Sequence, residues 1–327
     1  MSEWTIFRGD GRHRSWRMPP APPWRVFGAG PALPSEWDEG DAGHRLGDVT
    51  RATTYQSDAD QVELVNAALY LRRPLLVTGR PGTGKSTLAY AVARELALGP
   101  VLRWPITSRS TLQEGLYHYD AIGRLQDSNL AADDARRQLG RYLRLGPLGT
   151  ALLPYERPRV LLIDEVDKCD IDLPNDLLNV FEDGRFDIPE LARIADVDPV
   201  IEVGTADMVG SVPVRGGTVL CREFPLVILT SNGEREFPPA FLRRCLRLEV
   251  AQPDAERLTQ IVNAHLGADV AAATGDLVMR FLARRELGDL ATDQLLNAIF
   301  LTFHATRADG GDRERLAAIV MRHLNTG

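Results

Sequence analysis

The feature that most constrains the fold is a glycine-rich octapeptide between an apolar run and a helical pattern. It reads Gly79-Arg80-Pro81-Gly82-Thr83-Gly84-Lys85-Ser86 and fits the spacing G-x-x-x-x-G-K-[ST]. The apolar run 75–78 predicts a buried strand, and residues 87–96 carry apolar side chains at helical spacing. Glycines allow successive backbone N–H groups to face one anion, and the helix N-terminus adds its dipole. The octapeptide therefore predicts a phosphate-binding loop, with a nucleoside triphosphate as its ligand.

The predicted binding residues are the loop and the first turn of the following helix. Lys85 is expected to reach the β- and γ-phosphates, and the Ser86 hydroxyl is expected to ligate Mg²⁺. A glycine-rich turn without a ligand is the alternative. The predicted nucleotide-binding residues are Gly79, Arg80, Pro81, Gly82, Thr83, Gly84, Lys85, Ser86 and Thr87.

Composition narrows the class of protein. The 327 residues leave room for two domains. A net charge of −7 disfavours broad binding to nucleic acid, although a basic pore in an assembled ring stays open. The chain has no apolar stretch of membrane-spanning length and no leader pattern at Met1–Thr5, so we expect a cytoplasmic protein with no membrane partner. Cys169, Cys221 and Cys245 lack metal-ligand spacing and are predicted to be reduced packing residues.

Strand and helix patterns alternate over residues 47–250, which predicts a parallel sheet with helices on both faces. The predicted strands are Leu75–Thr78, Val101–Trp104, Val160–Asp164, Leu226–Thr230 and Leu246–Val250. The predicted helices are Ala59–Leu71, Lys85–Ala97 and Leu173–Glu182.

Residues 251–327 are predicted to form a small all-helical domain. The predicted helices are Asp254–Leu266, Gly275–Leu287, Thr292–Thr306 and Asp312–Leu324, with Asp254 and Thr292 as N-caps.

Residues 1–46 form a distinct N-terminal arm that is rich in proline and tryptophan. Proline-rich sequence favours extended structure, and a disordered tail is one interpretation. Disordered tails are poor in aromatic residues, however. We therefore favour an arm that docks on its own domain or on a neighbour through the aromatic residues Trp4, Phe7, Trp16, Trp24, Phe27 and Trp37.

Three further candidate sites lie next to predicted strands, two after a strand and one before the last strand. Asp164 and Glu165 end an apolar strand, where Asp164 suits the Mg²⁺ shell and Glu165 suits activation of a water. Asn232 follows the next apolar run and is either a group that bonds the γ-phosphate or the lytic water, or a residue of a turn. Arg243 and Arg244 precede the last strand, where an arginine either stabilises transition-state charge or lies on a solvated face.

In this order, the four motifs resemble those of AAA+ ATPases. Gly79–Ser86 resembles Walker A, Leu161–Glu165 Walker B, Asn232 sensor 1 and Arg244 the arginine finger. The resemblance implies a five-stranded parallel sheet sandwiched by helices, a helical lid, ATP and Mg²⁺ as cofactors, and assembly into a homo-oligomeric ring, with a hexamer expected. Glu165, Asn232 and Arg244 are then the catalytic residues, and Ser86 and Asp164 the metal ligands.

Other segments are similar to the MoxR branch of bacterial AAA+ proteins. They are Asn66–Leu76, Ile106–Leu125, Gly140–Leu153 and Leu242–Leu246. The N-terminal arm is similar to MoxR-like proteins of bacterial conflict systems, which are associated with von Willebrand factor A proteins. This resemblance implies a chaperone-like ATPase that remodels a von Willebrand factor A or effector partner. A nucleic-acid-dependent motor of a defence or restriction system and an ATP-binding switch with little turnover are the alternatives.

The chain departs from the family pattern in two places. Residues 184–225 form a long insertion with strand-like pieces at Val200–Val203 and Thr218–Arg222, which is either a hairpin lining a pore or a decorated loop. The lid segment 288–296 lacks the basic sensor-2 residue, for which Arg284 or Arg285 is a possible substitute.

Overall fold

A computed structural model of the protein describes residues 4–28, 31–34, 52–55, 57–127, 139–207, 210–285, 290–304 and 320. Its strands are β1 (Leu75–Thr78), β2 (Leu102–Pro105), β3 (Tyr117–Tyr119), β4 (Leu143–Leu145), β5 (Val160–Asp164), β6 (Arg185–Asp187), β7 (Val200–Gly204), β8 (Ser211–Arg215), β9 (Thr218–Leu220), β10 (Leu226–Ser231) and β11 (Leu246–Glu249).

The helices follow the same chain order. They are α1 (Ala59–Leu71), α2 (Lys85–Glu95), α3 (Leu112–Leu116), α4 (Ala121–Gln126), α5 (Pro147–Ala151), α6 (Leu173–Asp183), α7 (Pro189–Ala192), α8 (Pro239–Leu242), α9 (Ala255–Leu266), α10 (Ala268–Ala273), α11 (Gly275–Arg285) and α12 (Thr292–His304). Among these described helices, none is both long enough and apolar enough to cross a bilayer.

The central element is a parallel five-stranded sheet in the order β11-β1-β10-β5-β2. Every residue of β5 and β10 is buried, as expected of strands with helices on both faces. One apolar cluster contains residues of α1 and α2, and a second contains residues of α5 and α6. The predicted α/β fold class is confirmed, and all five predicted strands are present within one residue of their predicted ends.

A second sheet lies beside the first and was not predicted as such. Its order is β3-β4-β7-β8-β9-β6, and β7 and β8 form an antiparallel hairpin. The insertion 184–225 therefore contributes four strands, of which only the β7 and β9 regions were predicted. The segment from Ile106 to Leu125 contributes two short helical turns and β3.

The described part of the N-terminal arm docks on its own chain. Phe7 is fully buried in the cluster under α1 and α2. Asn66 of α1 accepts hydrogen bonds from the N–H groups of Ile6 and Phe7, at 2.7 and 3.0 Å, and donates to the carbonyl of Phe7. Glu95 of α2 accepts the N–H groups of Arg8 and Gly11.

Not every arm residue packs as predicted. Trp16 donates its indole N–H to the carbonyl of Leu96, but Trp24 is 77% exposed, because it lies on a short 3-10 turn whose inward residue is Arg25. Trp37 and the predicted boundary at residue 46 lie outside the described residues.

The C-terminal helices have an apolar cluster of their own, centred on Leu258, Phe281 and Leu295. Asp254 is the N-cap of α9, as predicted, and its carboxylate accepts the N–H of Arg257 at 2.8 Å. Thr292 was predicted as a cap but is the first residue of α12. The α10 helix was not predicted, and the predicted helix Asp312–Leu324 lies outside the described residues except for Val320.

The three cysteines are buried and form no disulfide. Burial raises the pKa of Cys221 and of Cys245 to about 12, so both thiols stay protonated near neutral pH. They pack in the core, as the sequence predicts.

Candidate functional site

The glycine-rich loop joins β1 to α2 at the carboxyl edge of the main sheet. Gly82 and Gly84 have φ angles of +74° and +86°, a region that residues with a side chain rarely adopt. A Cβ atom on Gly82 would lie 2.4 Å from the Cβ of Ala291. Glycine at this position thus allows both the turn of the loop and close approach of the segment that enters α12.

Lys85 is the first residue of α2, and its side chain folds back over the loop. The ammonium donates to the carbonyls of Gly79 and Arg80, at 2.7 and 2.9 Å, and to Oδ1 of Asn232, at 2.8 Å. Burial lowers the pKa of Lys85, and the nearby carboxylates of Asp167, Asp164 and Glu165 oppose that shift. The structure therefore brings the predicted phosphate-binding lysine and the predicted sensor into direct contact.

Asp164 ends β5 and lies against the first turn of α2. Its Oδ1 accepts the hydroxyls of Ser86 and Thr230, at 2.6 and 2.8 Å. Its Oδ2 accepts Nη2 of Arg103 at 2.7 Å. Burial alone would raise the pKa of Asp164, but these three hydrogen-bonding groups together hold it below its ordinary value. The two predicted Mg²⁺ ligands, Ser86 and Asp164, are thus adjacent, and Asp164 is a carboxylate at neutral pH.

Glu165 follows Asp164 with a φ angle of +61°, which is unusual for a residue with a side chain. Its backbone N–H donates to Oγ1 of Thr230 at 2.9 Å, which ties the turn to β10. Its carboxylate leaves the core and pairs with Lys168 at 2.7 Å. The two side chains are 42% and 46% exposed, and ion pairs of this kind are weak, so the carboxylate is able to exchange partners.

Asn232 follows β10, and its backbone is held by Asp167. Oδ2 of Asp167 accepts the N–H groups of Asn232 and Glu234, at 2.8 and 3.2 Å. Asp167 is only 3% exposed, and its Oδ1 has no hydrogen-bond partner among the described residues. A buried carboxylate therefore fixes the turn from which the Asn232 side chain reaches Lys85.

Arg244 lies at the opposite edge of the sheet from the glycine-rich loop. It precedes β11, which runs parallel to β1 with Leu246 beside Leu75. Four residues at about 3.3 Å each separate the two edges by about 13 Å. The Arg244 guanidinium donates Nε to Oε1 of Glu182 at 2.6 Å. The structure does not bring Arg244 together with the other predicted catalytic residues of the same chain.

A cleft of about 590 Å³ opens between the glycine-rich loop, the segment before α1 and the C-terminal helices. Tyr55 lines it and donates its hydroxyl to Gln61 at 2.9 Å, and burial raises the pKa of this phenol. His265 of α9 lies in the same cleft, 3.0 Å from the hydroxyl of Thr54. The volume falls in the range of small-molecule sites, so the cleft has room for the base and sugar of a nucleotide.

The possible substitutes for a sensor-2 residue lie at the end of α11. Arg285 donates to the carbonyl of Pro253 at 2.8 Å. Burial, and then the repulsion of Arg80, lower the pKa of Arg285. Gly288 and Asp289 lie outside the described residues.

These features fit a nucleotide with Mg²⁺. The N-terminus of α2 directly follows the glycine-rich loop, and the helix dipole favours a phosphate there. Ser86 and Asp164 supply the hydroxyl and carboxylate oxygens that Mg²⁺ prefers, 2.6 Å apart.

Sequence reasoning missed Arg103, Asp167, Lys168 and Thr230. Asp167 and Lys168 have a weak signal, since both are charged and directly follow the acidic pair in Asp164–Lys168. Arg103 also has a signal, as a charge inside an apolar run. Thr230 has none, because threonine is common in strands.

Comparisons with known proteins place this geometry in a family. The profile of the family described as "AAA domain (dynein-related subfamily)" matches residues 74–245. The solved structures that are similar include one titled "Structure of C. elegans PCH-2", with 14% sequence identity, a TM-score of 0.44, and coverage of 85% of this chain and 72% of that chain. A search of curated proteins found no relative. The family match spans more than half of the chain and contains the glycine-rich loop, the acidic pair and Asn232, and the chain belongs to the AAA domain family in its dynein-related subfamily.

Proposed function

We propose that this chain hydrolyses ATP in the presence of Mg²⁺ at the interfaces between subunits of a ring. The observation that carries the proposal is the convergence of five groups at one edge of the sheet. They are the side chains of Lys85, Ser86, Asp164 and Asn232, with Glu165 next to Asp164. Phosphate-binding, metal-binding and water-activating groups lie together here, as hydrolysis of a nucleoside triphosphate requires.

Each residue has a role in this proposal. The loop N–H groups and Lys85 bind the phosphates, and Asn232 orients the attacking water. Glu165 accepts a proton from that water, once its carboxylate exchanges Lys168 for it. Ser86 and Asp164 would hold Mg²⁺, which would supply positive charge to the phosphate oxygens.

The position of Arg244 supports assembly. An arginine next to the γ-phosphate stabilises transition-state charge, but Arg244 lies across the sheet from the loop of its own chain. A neighbouring subunit that places its loop against this edge would receive Arg244 in trans. We therefore propose a homo-oligomeric ring, and a hexamer in line with the MoxR resemblance.

For the biological role, we propose remodelling of a protein client, such as a von Willebrand factor A or effector protein. The support is the similarity of Asn66–Leu76 to MoxR-type ATPases and of the N-terminal arm to MoxR-like proteins of bacterial conflict systems. The net charge of −7 favours a protein client over nucleic acid.

An ATP-binding switch with little turnover is the second candidate. The segment that lies against Gly82 presents Ala291 and Thr292, neither of which is basic. A lid without a cation at this point would respond less strongly to the γ-phosphate.

The test is steady-state ATP turnover of the wild type and two variants. Glu165→Gln is expected to lower kcat by at least about a hundredfold while ATP still binds. Glu156→Gln removes an exposed carboxylate elsewhere and is expected to match the wild type. Wild-type turnover that Glu165→Gln leaves unchanged would refute the hydrolytic proposal, and ATP binding without turnover in the wild type would favour the switch.

A further inference from the structure

Glu182 lies between two arginines, one from the N-terminal arm and one from the loop before β11. It is the penultimate residue of α6. Its Oε1 accepts Nε of Arg244 at 2.6 Å, and its Oε2 lies 3.5 Å from Nη1 of Arg25. Glu182 and Arg244 are 47% and 39% exposed at their side chains, so this pair is at the surface, whereas Arg25 is buried.

Arg25 is held by several groups at once. Its guanidinium donates to the carbonyls of Arg72, at 2.6 Å, and Phe181, at 2.9 Å. These carbonyls lie at the carboxyl ends of α1 and α6, where a positive charge is favoured by the helix dipoles. The guanidinium also lies over the rings of Phe27 and Phe224, at 4.9 and 4.8 Å from their centres. The arm thereby fixes the end of α6 that carries Glu182.

The hydrogen bonds of Arg244 with the described residues engage only part of its guanidinium. Nε is bound to Glu182, and Nη1 lies 3.3 Å from the carbonyl of Ala240. Nη2 makes no hydrogen bond with any residue that the structure describes. Glu182 therefore sets the direction in which Arg244 presents its remaining donors.

We propose that Glu182, anchored by Arg25 of the N-terminal arm, is a positioning residue that aims Arg244 at the nucleotide of a neighbouring subunit. This inference rests on the proposed function, since it needs Arg244 to act in trans. It assigns a role to the arm that the family match at residues 74–245 does not contain. Without Glu182, the long Arg244 side chain populates several rotamers, and a displacement of about 1 Å costs up to about a hundredfold in rate.

The first test compares kcat and KM for ATP in three variants. Glu182→Ala is expected to lower kcat by about tenfold to a hundredfold and to leave KM unchanged, because the loop of the same subunit is intact. Glu182→Gln keeps a neutral acceptor for Nε and is expected to lose less. Asp183→Asn changes an exposed carboxylate next in the chain and is expected to match the wild type.

The second test mixes subunits. Glu165→Gln subunits lack the base but carry an intact Arg244, so they are expected to restore turnover at Glu182→Ala subunits beside them. The mixture is then more active than the sum of the separate proteins. Arg25→Lys, which retains the charge but not the planar fork, is expected to be slowed and restored in the same way.

The outcomes distinguish the role of Glu182 from the trans role of Arg244 on which it rests. If Arg244→Ala turns over ATP at the wild-type rate, the trans role of Arg244 fails, and the inference fails with it. If Arg244→Ala is slow but Glu182→Ala is normal, only the inference is refuted. It is also refuted if Glu165→Gln subunits do not restore Glu182→Ala, or if Asp183→Asn is slowed equally.

Discussion

At the scale of single residues, Asp167 shows how a buried charge is used to hold a functional turn. One of its oxygens accepts two backbone N–H groups, from Asn232 and Glu234. We expect Asp167→Ala to lower the free energy of unfolding by about 1–3 kcal/mol, because both N–H groups lose their buried acceptor. Turnover should fall as well, since Asn232 is no longer held toward Lys85.

Denaturant unfolding and steady-state kinetics measure the two effects of Asp167→Ala. Asp167→Asn retains an acceptor and should be milder in both, while Asp196→Ala removes an exposed carboxylate and should be neutral. Equal stability and turnover in Asp167→Ala and Asp196→Ala would show that Asp167 does not hold the Asn232 turn.

The backbone of Glu165 leads to a second prediction. A left-handed conformation costs a residue with a side chain about 1–2 kcal/mol, and glycine avoids this cost. Glu165→Gly should therefore be more stable than Glu165→Ala by about 1 kcal/mol, although both lose turnover. At Lys168, which lies in a 3-10 turn, the order should reverse. Thermal unfolding of the four variants tests this, and the same order at both positions would contradict it.

At the scale of elements, the arm depends on Asn66 of α1. Asn66→Ala removes the side-chain partner of three backbone groups, of which the two of Phe7 are buried and the N–H of Ile6 is half-buried. We expect a loss of about 2–3 kcal/mol in the free energy of unfolding. Asn179→Ala, at an exposed position of α6, is the matched control and should change little. Equal stability of the two variants would mean that the docked arm contributes nothing.

The stability of the folded protein should depend on pH through His265 of α9. Burial lowers the pKa of His265 in the folded protein below its ordinary value of about 6.5. The unfolded chain therefore takes up a proton first as the pH falls, and stability decreases below that value. The unfolding temperature is measured one pH unit above and one pH unit below about 6.5. Between these two values it should fall less in His265→Gln than in the wild type. The exposed His118→Gln should behave as the wild type, and an equal fall in all three proteins would contradict the prediction.

The elements differ in how far the sequence predicts them. The inner strands β1, β5 and β10 are continuous, mostly buried apolar runs, as expected of strands covered on both faces. The edge strands β2 and β11 alternate apolar and exposed residues, and the bounds of all five were predicted within one residue. The second sheet is built from three- to five-residue strands with exposed charges, such as Arg185–Asp187, and pairs segments far apart in the chain. Local patterns do not predict such pairings.

The residues of the candidate site also differ in how far the sequence predicts them. The glycine-rich loop and the acidic pair are local motifs, so the sequence alone predicts them. The contacts of Arg103 with Asp164 and of Glu182 with Arg25 and Arg244 depend on tertiary structure.

At the scale of the whole molecule, the separation of Arg244 from its own loop makes assembly part of the proposed chemistry. The loop lies beyond the carboxyl edge of the sheet, and Arg244 lies at the amino edge. A single subunit thus contains every proposed group for binding and water activation, but not in one place with the arginine.

The most direct measurement is ATP turnover per subunit over a concentration series, with the molar mass measured on the same samples with and without nucleotide. The account predicts that turnover per subunit rises as subunits assemble and levels off once assembly is complete. A monomer that turns over ATP at a constant rate per subunit across the series would contradict it.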